Sequence, residues 1–343
     1  MSSADDERRT ALHRSIVIWT GLFLLTIAAL ISAVGILNRE VYSAPAFVRI
    51  YLDALAQRDL GAVLATPGLD LGTDDEAGTG SASLISTAAM SDLSDIQLVS
   101  DTEIASDRHR VVYSYLLEGA NGFKVPAQSE FDVVQTGFSW LVFPQWSFQR
   151  SPTATATVTV SHAASFTAGD SQIALDDPSA FHTGGAYTVL VPSLTELSHS
   201  SEYLGAVPVN LTATTASSSV TAIIDVQPTT TFLKAVQDAV DGFLNDCAAQ
   251  PLLYPPGCPF GLDVNDRITT EPQWSIESYP QLTLIAGQDS WVVPNASGSA
   301  RVSVQVRSLF DGTVSARDES IPYAVTFTVT IEPDGSITFA PRT

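Results

Sequence analysis

The segment "TFLKAVQDAVDGFLNDC", residues 231–247, decides the fold of the C-terminal third of the chain. Its large apolar residues recur every three or four positions, which is the spacing of an amphipathic helix. These residues are Phe232, Val236, Val240 and Phe243. The segment therefore predicts a helix that buries one face.

The residues that follow this helix have the pattern of strands. "RVSVQVRSLF" (301–310) and "YAVTFTVTI" (323–331) alternate apolar and polar side chains. Asp311-Gly312 separates these two segments, and Asp334-Gly335 leads into a last short segment, "SITFA". Alternation broken by such turns is typical of an antiparallel sheet with one buried and one wet face. We expect the helix to pack on this sheet.

The same order of helix and then strands occurs earlier in the chain. Residues 44–65 have helical spacing of apolar side chains. "RVVYSYLLEG" (110–119) and "FKVPAQSEFDVV" (123–134) flank Asn121-Gly122, a strong hairpin signal. "FSWLVFPQWSF" (138–148) is predicted to be the last strand of this block. Two helix-then-sheet blocks are therefore expected.

Residues 151–227, between the two blocks, have no helical period. "TATATVTV", "GGAYTVLV" and "SVTAIIDV" all read as short strands. The pattern predicts a small all-β domain of about 75 residues.

Residues 15–37, "SIVIWTGLFLLTIAALISAVGIL", contain no charged side chain. At 1.5 Å per residue, a helix of this length spans about 35 Å, enough for the hydrocarbon core of a membrane. Arg8, Arg9 and Arg14 precede the span, which predicts a cytoplasmic N-terminus and an extracellular remainder. A cleaved signal peptide is the alternative, with "SAPA" (43–46) as the cleavage site.

The net charge of −21 belongs to the part of the chain after the span. The first 14 residues contain three acids and three arginines, so 13 basic and 34 acidic residues remain. Such a surface repels nucleic acid, and no nucleic-acid partner is expected. With only two lysines beside fourteen arginines, the composition is typical of a GC-rich actinobacterium.

The only two cysteines, Cys247 and Cys258, flank the Pro-rich loop of "DCAAQPLLYPPGCPFG" (246–261). A metal site is the competing interpretation, but it needs about four ligands and no histidine lies near this segment. A disulfide needs only that the loop bring the two residues together. We predict a disulfide, and such bonds persist outside the cytosol.

Catalytic and cofactor motifs are not found in the sequence. Phosphate-binding, zinc-protease and serine-hydrolase signatures do not occur. "TFLK" (231–234) and the Asp263–Asp266 segment only faintly resemble a Ser-x-x-Lys nucleophile and a calcium loop, and are interpreted as a helix start and an exposed turn. A tyrosine and an acid in an apolar pocket could serve an isomerase. The residues considered for it are Tyr51, Tyr113, Tyr115, Asp53 and Glu118. They are interpreted as core tyrosines and solvated acids, so no catalytic residue, cofactor or metal is predicted.

A membrane helix followed by "APAFVRIYLDALAQRDLGAVLA", and a strand series ending at Gly137 and Trp140, resemble nuclear-transport-factor-2-like cones. "GGAYTVLV" is similar to a strand of PEGA-like or immunoglobulin-like modules. The order of parts resembles teicoplanin-resistance-associated envelope proteins, without their zinc ribbon, and cone subunits of conjugation machines. The resemblance implies an α+β chain with two helix-on-curved-sheet cones and a sandwich-like β domain between them. The predicted parts are a cytoplasmic stub (1–14), a transmembrane helix (15–37), a first cone (43–150), an all-β domain (151–227) and a second cone with the disulfide loop (228–343).

Two classes of function are compatible with these observations. The first is a non-catalytic, membrane-anchored envelope protein that binds a protein partner, a wall polymer or a small ligand, including a role in a conjugation or secretion complex. The second is an enzyme or carrier that uses a cone cavity. Filled cavities and an exposed apolar patch would favour the first class, and an open apolar pocket with polar groups the second.

Overall fold

The computed structural model describes residues 3–72, 80–119, 122–140, 142–175, 181–332 and 334–341. Within these ranges the chain is α+β and consists mostly of strands, and one of its sheets curls into a half-barrel. The helices are α1 (Ser3–Glu40), α2 (Ala44–Ala56), α3 (Leu60–Leu64) and α4 (Thr230–Ala248). Short 3₁₀ turns lie at Ala82–Leu84 and Thr87–Ala89.

Helix α1 contains the predicted apolar segment. Its Ile18–Glu40 portion is long and apolar enough to cross a membrane, with a mean hydropathy of 2.3, and none of that portion is buried against the rest of the chain. The chain therefore has an N-terminal helix that could anchor it in a membrane.

The first sheet is an antiparallel meander that follows α2 and α3. Its order is β1-β2-β3-β4. The strands are β1 (Asp92–Ala105), β2 (Arg108–Glu118), β3 (Lys124–Ser139) and β4 (Phe143–Phe148). The predicted β2–β3 hairpin is confirmed by its register, although Asn121 lies outside the described residues.

Two details of this sheet differ from the sequence prediction. Residues 138–148 are not one strand, because the chain turns at Trp140, whose φ of 51° is incompatible with a continuing strand. Strand β1 was not predicted, since it is bulged at three points and mostly exposed, which removes the regular alternation.

Helix α2 packs on this sheet because its apolar residues share one face. The Ser43 side chain caps its N-terminus, and Pro45 lies in the first turn, where its missing N–H costs nothing. Val48, Tyr51 and Leu52 are completely buried. We call α2, α3 and β1–β4 the first helix–sheet unit.

Residues 153–228 form two four-stranded sheets that enclose a second core. One sheet has the order β10-β12-β5-β8 and the other β11-β9-β6-β7, and among the described strands only β5 and β12 pair in parallel. We call these strands the β module. They are β5 (Thr153–Ser161), β6 (Ser165–Ala168), β7 (Ser171–Ala174), β8 (His182–Leu190), β9 (Ser193–Ser198), β10 (Leu204–Ala206), β11 (Val209–Ala213) and β12 (Ser219–Pro228).

The third core lies between α4 and a six-stranded antiparallel sheet. Phe232, Val236 and Val240 of α4 are buried in it, as the helical spacing predicts. The fourth buried residue is Leu244, whereas the predicted Phe243 is only partly buried. We call α4 and this sheet the second helix–sheet unit. Its strands are β13 (Arg267–Ile268), β14 (Gln273–Ser278), β15 (Ile285–Ala286), β16 (Trp291–Arg307), β17 (Val314–Ile331) and β18 (Ile337–Pro341).

The α+β class and the N-terminal apolar helix are confirmed by these elements. The finer architecture, two nuclear-transport-factor-2-like cones with domain boundaries near residues 150 and 228, stays a prediction.

Candidate functional site

The cysteines of the Pro-rich loop are bonded to each other. The Cα atoms of Cys247 and Cys258 lie 5.7 Å apart, and both residues take part in the disulfide predicted from the sequence. Cys247 is buried in the last turn of α4, so the bond ties the end of this helix to the loop that follows. Trp274 Nε1 also donates to Leu252 O (2.8 Å), which fixes the loop on the sheet. The bond is structural, and both thiols are consumed by it.

The tyrosines considered for catalysis have other partners. Tyr51 donates to Val191 O (2.8 Å), and Tyr113 donates to Pro45 O (2.9 Å). Burial raises the pKa of both hydroxyls above the ordinary tyrosine value. These groups are neutral hydrogen-bond donors that hold backbone carbonyls.

The acids considered with them are paired at the surface. Asp53 accepts from Arg49 one turn earlier (2.8 Å), and Glu118 lies 3.1 Å from Lys124 across the β2–β3 pair. Each carboxylate therefore pairs with a cation at the surface and does not lie beside a tyrosine in an apolar pocket.

A hydroxyl chain connects the first sheet to the β module. Tyr115 Oη lies 2.5 Å from Ser129 Oγ, which donates to Thr214 O. Burial raises the pKa of Tyr115 to about 12. A surface cleft of about 370 Å³ opens beside this chain. Its charged residues, Glu130, Asp132 and Arg150, are joined with Arg110 in ion pairs, so the cleft has no uncompensated group poised for proton transfer.

The other two sequence candidates are also explained by local contacts. Lys234 Nζ lies 2.5 Å from Asp238 on the exposed face of α4, as a helix start predicts. Asp266 accepts from Leu309 N (3.2 Å), and Asp263 is hydrogen-bonded to Tyr254. Among the residues that the structure describes, no group of three or more His, Cys, Asp or Glu side chains could hold a metal ion.

The most unusual exposed feature is the turn between β16 and β17, residues 308–313, which we call the distal tip. Phe310 is 99% exposed and Leu309 is 73% exposed. Single exposed apolar side chains are common, but two adjacent large ones form a contiguous patch, which is the kind of exposure that marks interaction sites. The Trp291 end of β16 packs near the β module, so about 50 Å of strand separates the tip from it.

The backbone of the distal tip is held by its own hydrogen bonds. Ser308 N donates to Thr313 O (2.9 Å), and the Ser308 hydroxyl accepts from Phe310 N (3.2 Å). Asp311 accepts from the backbone N–H and the hydroxyl of Thr313, and these bonds lower the pKa of its carboxyl. Gly312 has φ 76°, which makes the predicted Asp311-Gly312 turn. The tip therefore presents two apolar side chains on a preorganised loop.

The neighbouring sheet edge has the opposite character. Strand β17 pairs with β18 only over Phe327–Ile331. The first half of β17 carries Arg317, Asp318, Glu319 and Pro322. Charges and a proline are the usual protection of an edge against added strands. The apolar side chains of the tip, and not the backbone of the edge, are the accessible contact surface here.

The sequence predicts this turn but not the exposure of the two apolar residues before it. Leu309 and Phe310 continue the apolar pattern of the strand, so they were assigned to it. The available signal was two adjacent large apolar residues directly before an Asp-Gly turn, where strand alternation would allow only one to be buried.

No protein-family model, curated protein or solved structure matches the chain.

Proposed function

We propose that this chain is a non-catalytic, single-pass envelope protein whose extracellular part binds a protein partner through the distal tip. In this proposal the N-terminus is cytoplasmic, and residues after about 40 are outside the cell. The observation that carries it is the pair Leu309 and Phe310, fully presented to solvent on a loop with internally satisfied hydrogen bonds. Buried aromatic anchors dominate the energetics of protein interfaces.

Retention of α1 as an anchor is supported by contacts that it makes with the folded part. Asn38 Nδ2 donates to Val142 O (2.9 Å), and Trp146 Nε1 donates to Tyr42 O (2.8 Å). Cleavage at residues 43–46 would remove these contacts and the Ser43 cap of α2. A retained membrane anchor explains why the sequence builds them.

A binding function is favoured over an enzyme by the way both helix–sheet interfaces are filled. Val48, Tyr51 and Phe131 occupy the space between α2 and its sheet, and Phe232 and Val236 do so under α4. These are the positions at which a cone-fold enzyme would need an open apolar pocket.

The partner is expected to offer an apolar pocket with a basic rim. Asp311 stays ionised beside the apolar pair, and the extracellular part carries the whole net charge of −21. Complementary charge would speed association and exclude acidic competitors. The two helix–sheet units are, in the same proposal, nuclear-transport-factor-2-like cones arranged as in teicoplanin-resistance-associated envelope proteins.

Photocrosslinking in the native membrane tests the proposal. A photoreactive phenylalanine at position 310 should crosslink one protein, and the same probe at Ser336, an exposed turn of the same sheet, should not. The purified partner should then bind the Phe310→Ser chain at least about tenfold more weakly, since a buried aromatic anchor contributes 2 kcal/mol or more. Equal binding by Phe310→Ser and the unsubstituted chain would overturn it.

Protease treatment of intact protoplasts tests the orientation separately. Digestion of everything after about residue 40 is expected from the positive-inside rule. Protection of the C-terminal part would contradict the extracellular location.

A further inference from the structure

A second exposed aromatic turn lies against the end of α1. This turn joins β3 to β4, and we call its described residues, 138–140 and 142–143, the proximal tip. Trp140 is 88% exposed and Phe138 is 61% exposed. The tip is fixed to the end of α1 by the bond from Asn38 to Val142 O and by the Tyr42 ring, stacked on Phe143 with centroids 4.4 Å apart.

The depth of this contact follows from the length of the apolar helix. Ile18–Glu40 comprises 23 residues, whereas about 20 residues cross the hydrocarbon core. Asn38 is therefore at the boundary between hydrocarbon and headgroups, and Val142, bonded to it, is at the same level. Trp140, two residues from Val142, lies where the membrane–water interface would be.

The chemistry of the proximal tip suits that level. Residues 133–149 contain no charged side chain in a chain of net charge −21. A segment with acids would be repelled by anionic headgroups, whereas tryptophan, with an apolar body and one N–H donor, is enriched at membrane interfaces.

The backbone of Trp140 points to the same conclusion. Its φ of 51° is in the left-handed region, which glycine or asparagine occupies at little cost. A bulky residue there costs about 1 kcal/mol or more. The turn thus carries a tryptophan where its own conformation favours a small residue.

We propose that the proximal tip inserts into the lipid headgroup region beside α1, with Trp140 as its anchor, and so fixes the first helix–sheet unit against the membrane. This proposal rests on the membrane-anchoring part of the proposed function. A lipid surface is the occupant because the tip continues the surface of the candidate span itself.

Spin labelling of the full chain in phosphatidylcholine–phosphatidylglycerol nanodiscs tests it. Both native cysteines are in the disulfide, so a single added cysteine is labelled uniquely. A nitroxide at Ser139→Cys should be more accessible to oxygen than to a water-soluble nickel chelate, and the order should reverse at Ser336→Cys. Adding Trp140→Ser should move the label at residue 139 toward water, and Trp140→Phe should largely retain its depth.

A label at Ala29→Cys, in the middle of the candidate span, separates the two ways of failing. A water-exposed label at residue 29 would refute the anchoring helix itself. A membrane-buried label at residue 29 with a water-exposed label at residue 139 would overturn the proximal-tip proposal alone. A label at residue 139 shielded from both reagents would indicate protein contact and would also overturn it.

Discussion

The two helix–sheet units are attached to the same β module in different ways. The first unit, together with the segment 80–91 that precedes β1, is joined to it by buried side-chain hydroxyls that donate to backbone carbonyls across the boundary. These bonds are Tyr51 to Val191 O (2.8 Å), Ser91 to Leu194 O (2.8 Å), Thr188 to Gly80 O (2.9 Å) and Thr195 to Ala89 O (3.0 Å). Each hydrogen bond requires one donor to lie opposite one acceptor, so together they fix the relative position of the two parts.

The second unit contacts the β module mainly through rings. Trp291 lies with its ring centroid 5.1 Å from His162, 5.5 Å from Phe181 and 6.2 Å from Phe232. The Tyr203 ring of the module lies tilted against Phe232, with centroids 5.5 Å apart, and Phe232 begins the buried face of α4. Most of the free energy of these contacts comes from buried apolar area, which is non-directional, so this boundary should be strong but should fix the relative position of the two parts less tightly than hydrogen bonds do.

Mutations at the two boundaries should therefore lower the stability of the chain by different amounts. A net hydrogen bond contributes about 1 kcal/mol, whereas truncating a buried tryptophan costs about 3–5 kcal/mol. Losses of stability on mutation at the ring boundary should therefore be large and confined to the second unit. Losses at the hydroxyl boundary should be small but should affect both the first unit and the β module.

The largest effect is expected for Trp291→Ala. The ring is 3% exposed, and its removal leaves a cavity between the second unit and the β module. We expect a loss of about 3–5 kcal/mol in the free energy of unfolding. Denaturant unfolding of the full chain in detergent measures it, with hydrogen exchange to locate the change. Phe310→Ala is the matched control, since that ring is 99% exposed and its removal should leave the stability of the isolated chain unchanged. Equal losses in both variants would contradict a special contribution of the buried Trp291 ring.

Removal of the disulfide should rank second. The bond closes a loop of about 12 residues, which the chain-entropy model values at about 3 kcal/mol. We expect Cys247→Ser with Cys258→Ser to destabilise the second unit and to raise amide exchange in the loop after α4, with the first unit unaffected. Reduction of the unsubstituted chain should have the same effect. Loss of protection in α2 would show that the two units are not independent.

The third effect, at Tyr51, is smaller and reports on the hydroxyl boundary. Tyr51→Phe keeps the ring between Phe131 and Phe148 but leaves Val191 O without its donor, at a cost of about 1–2 kcal/mol. Amide exchange should rise on both sides, in α2 and in β8–β9. Tyr113→Phe is the control, because its bond to Pro45 stays within the first unit. Identical exchange profiles for the two variants would contradict a special role of the boundary bond.

The elements that local sequence could predict are those with a regular period. Helix α4 and the second half of β16, residues 301–307, are predicted correctly because burial on one face imposes a spacing of 3.6 or 2 residues. The first ten residues of β16 are not predicted. The disulfide was predictable because the chain has only two cysteines and they flank one loop. Strand β1 was not predictable, since its bulges break the alternation, and the split of residues 138–148 was hidden by apolar residues on both sides of the turn at Trp140.

The contacts between the units cannot be predicted from local sequence patterns. Tyr51 looks like any core tyrosine of a helix, and its partner Val191 is 140 residues away. His162 and Trp291 are likewise joined only by the folded chain. The candidate interaction surfaces depend on exposure, which alternation alone does not give for the last residues of a strand. Alternation therefore predicts Leu309 and Phe310 to be strand residues, although β16 ends at Arg307.

The smallest effect is the response of the second unit to acid. A hydrogen bond from Ser320, with Arg301 nearby, lowers the pKa of Glu277. A hydrogen bond from Arg301 lowers the pKa of Asp318. A carboxyl with a folded pKa below its unfolded value stabilises the fold above the unfolded pKa, and the stabilisation is lost as pH falls through the folded pKa. The second unit should therefore begin to lose stability below about pH 4, and the loss should be modest because these exposed pairs are screened by water and salt.

Glu277→Gln with Asp318→Asn should make the decline in stability between pH 5 and pH 2 shallower, since two of the titrating groups are gone. Asp311 and Asp334, which also have lowered pKa values, should keep part of the decline. The denaturant midpoint of the second unit, followed by the protection of β16 against exchange at each pH, measures this slope. If the midpoint falls with pH equally in the variant and the unsubstituted chain, the ion pairs of Arg301 do not contribute to the stability of the second unit.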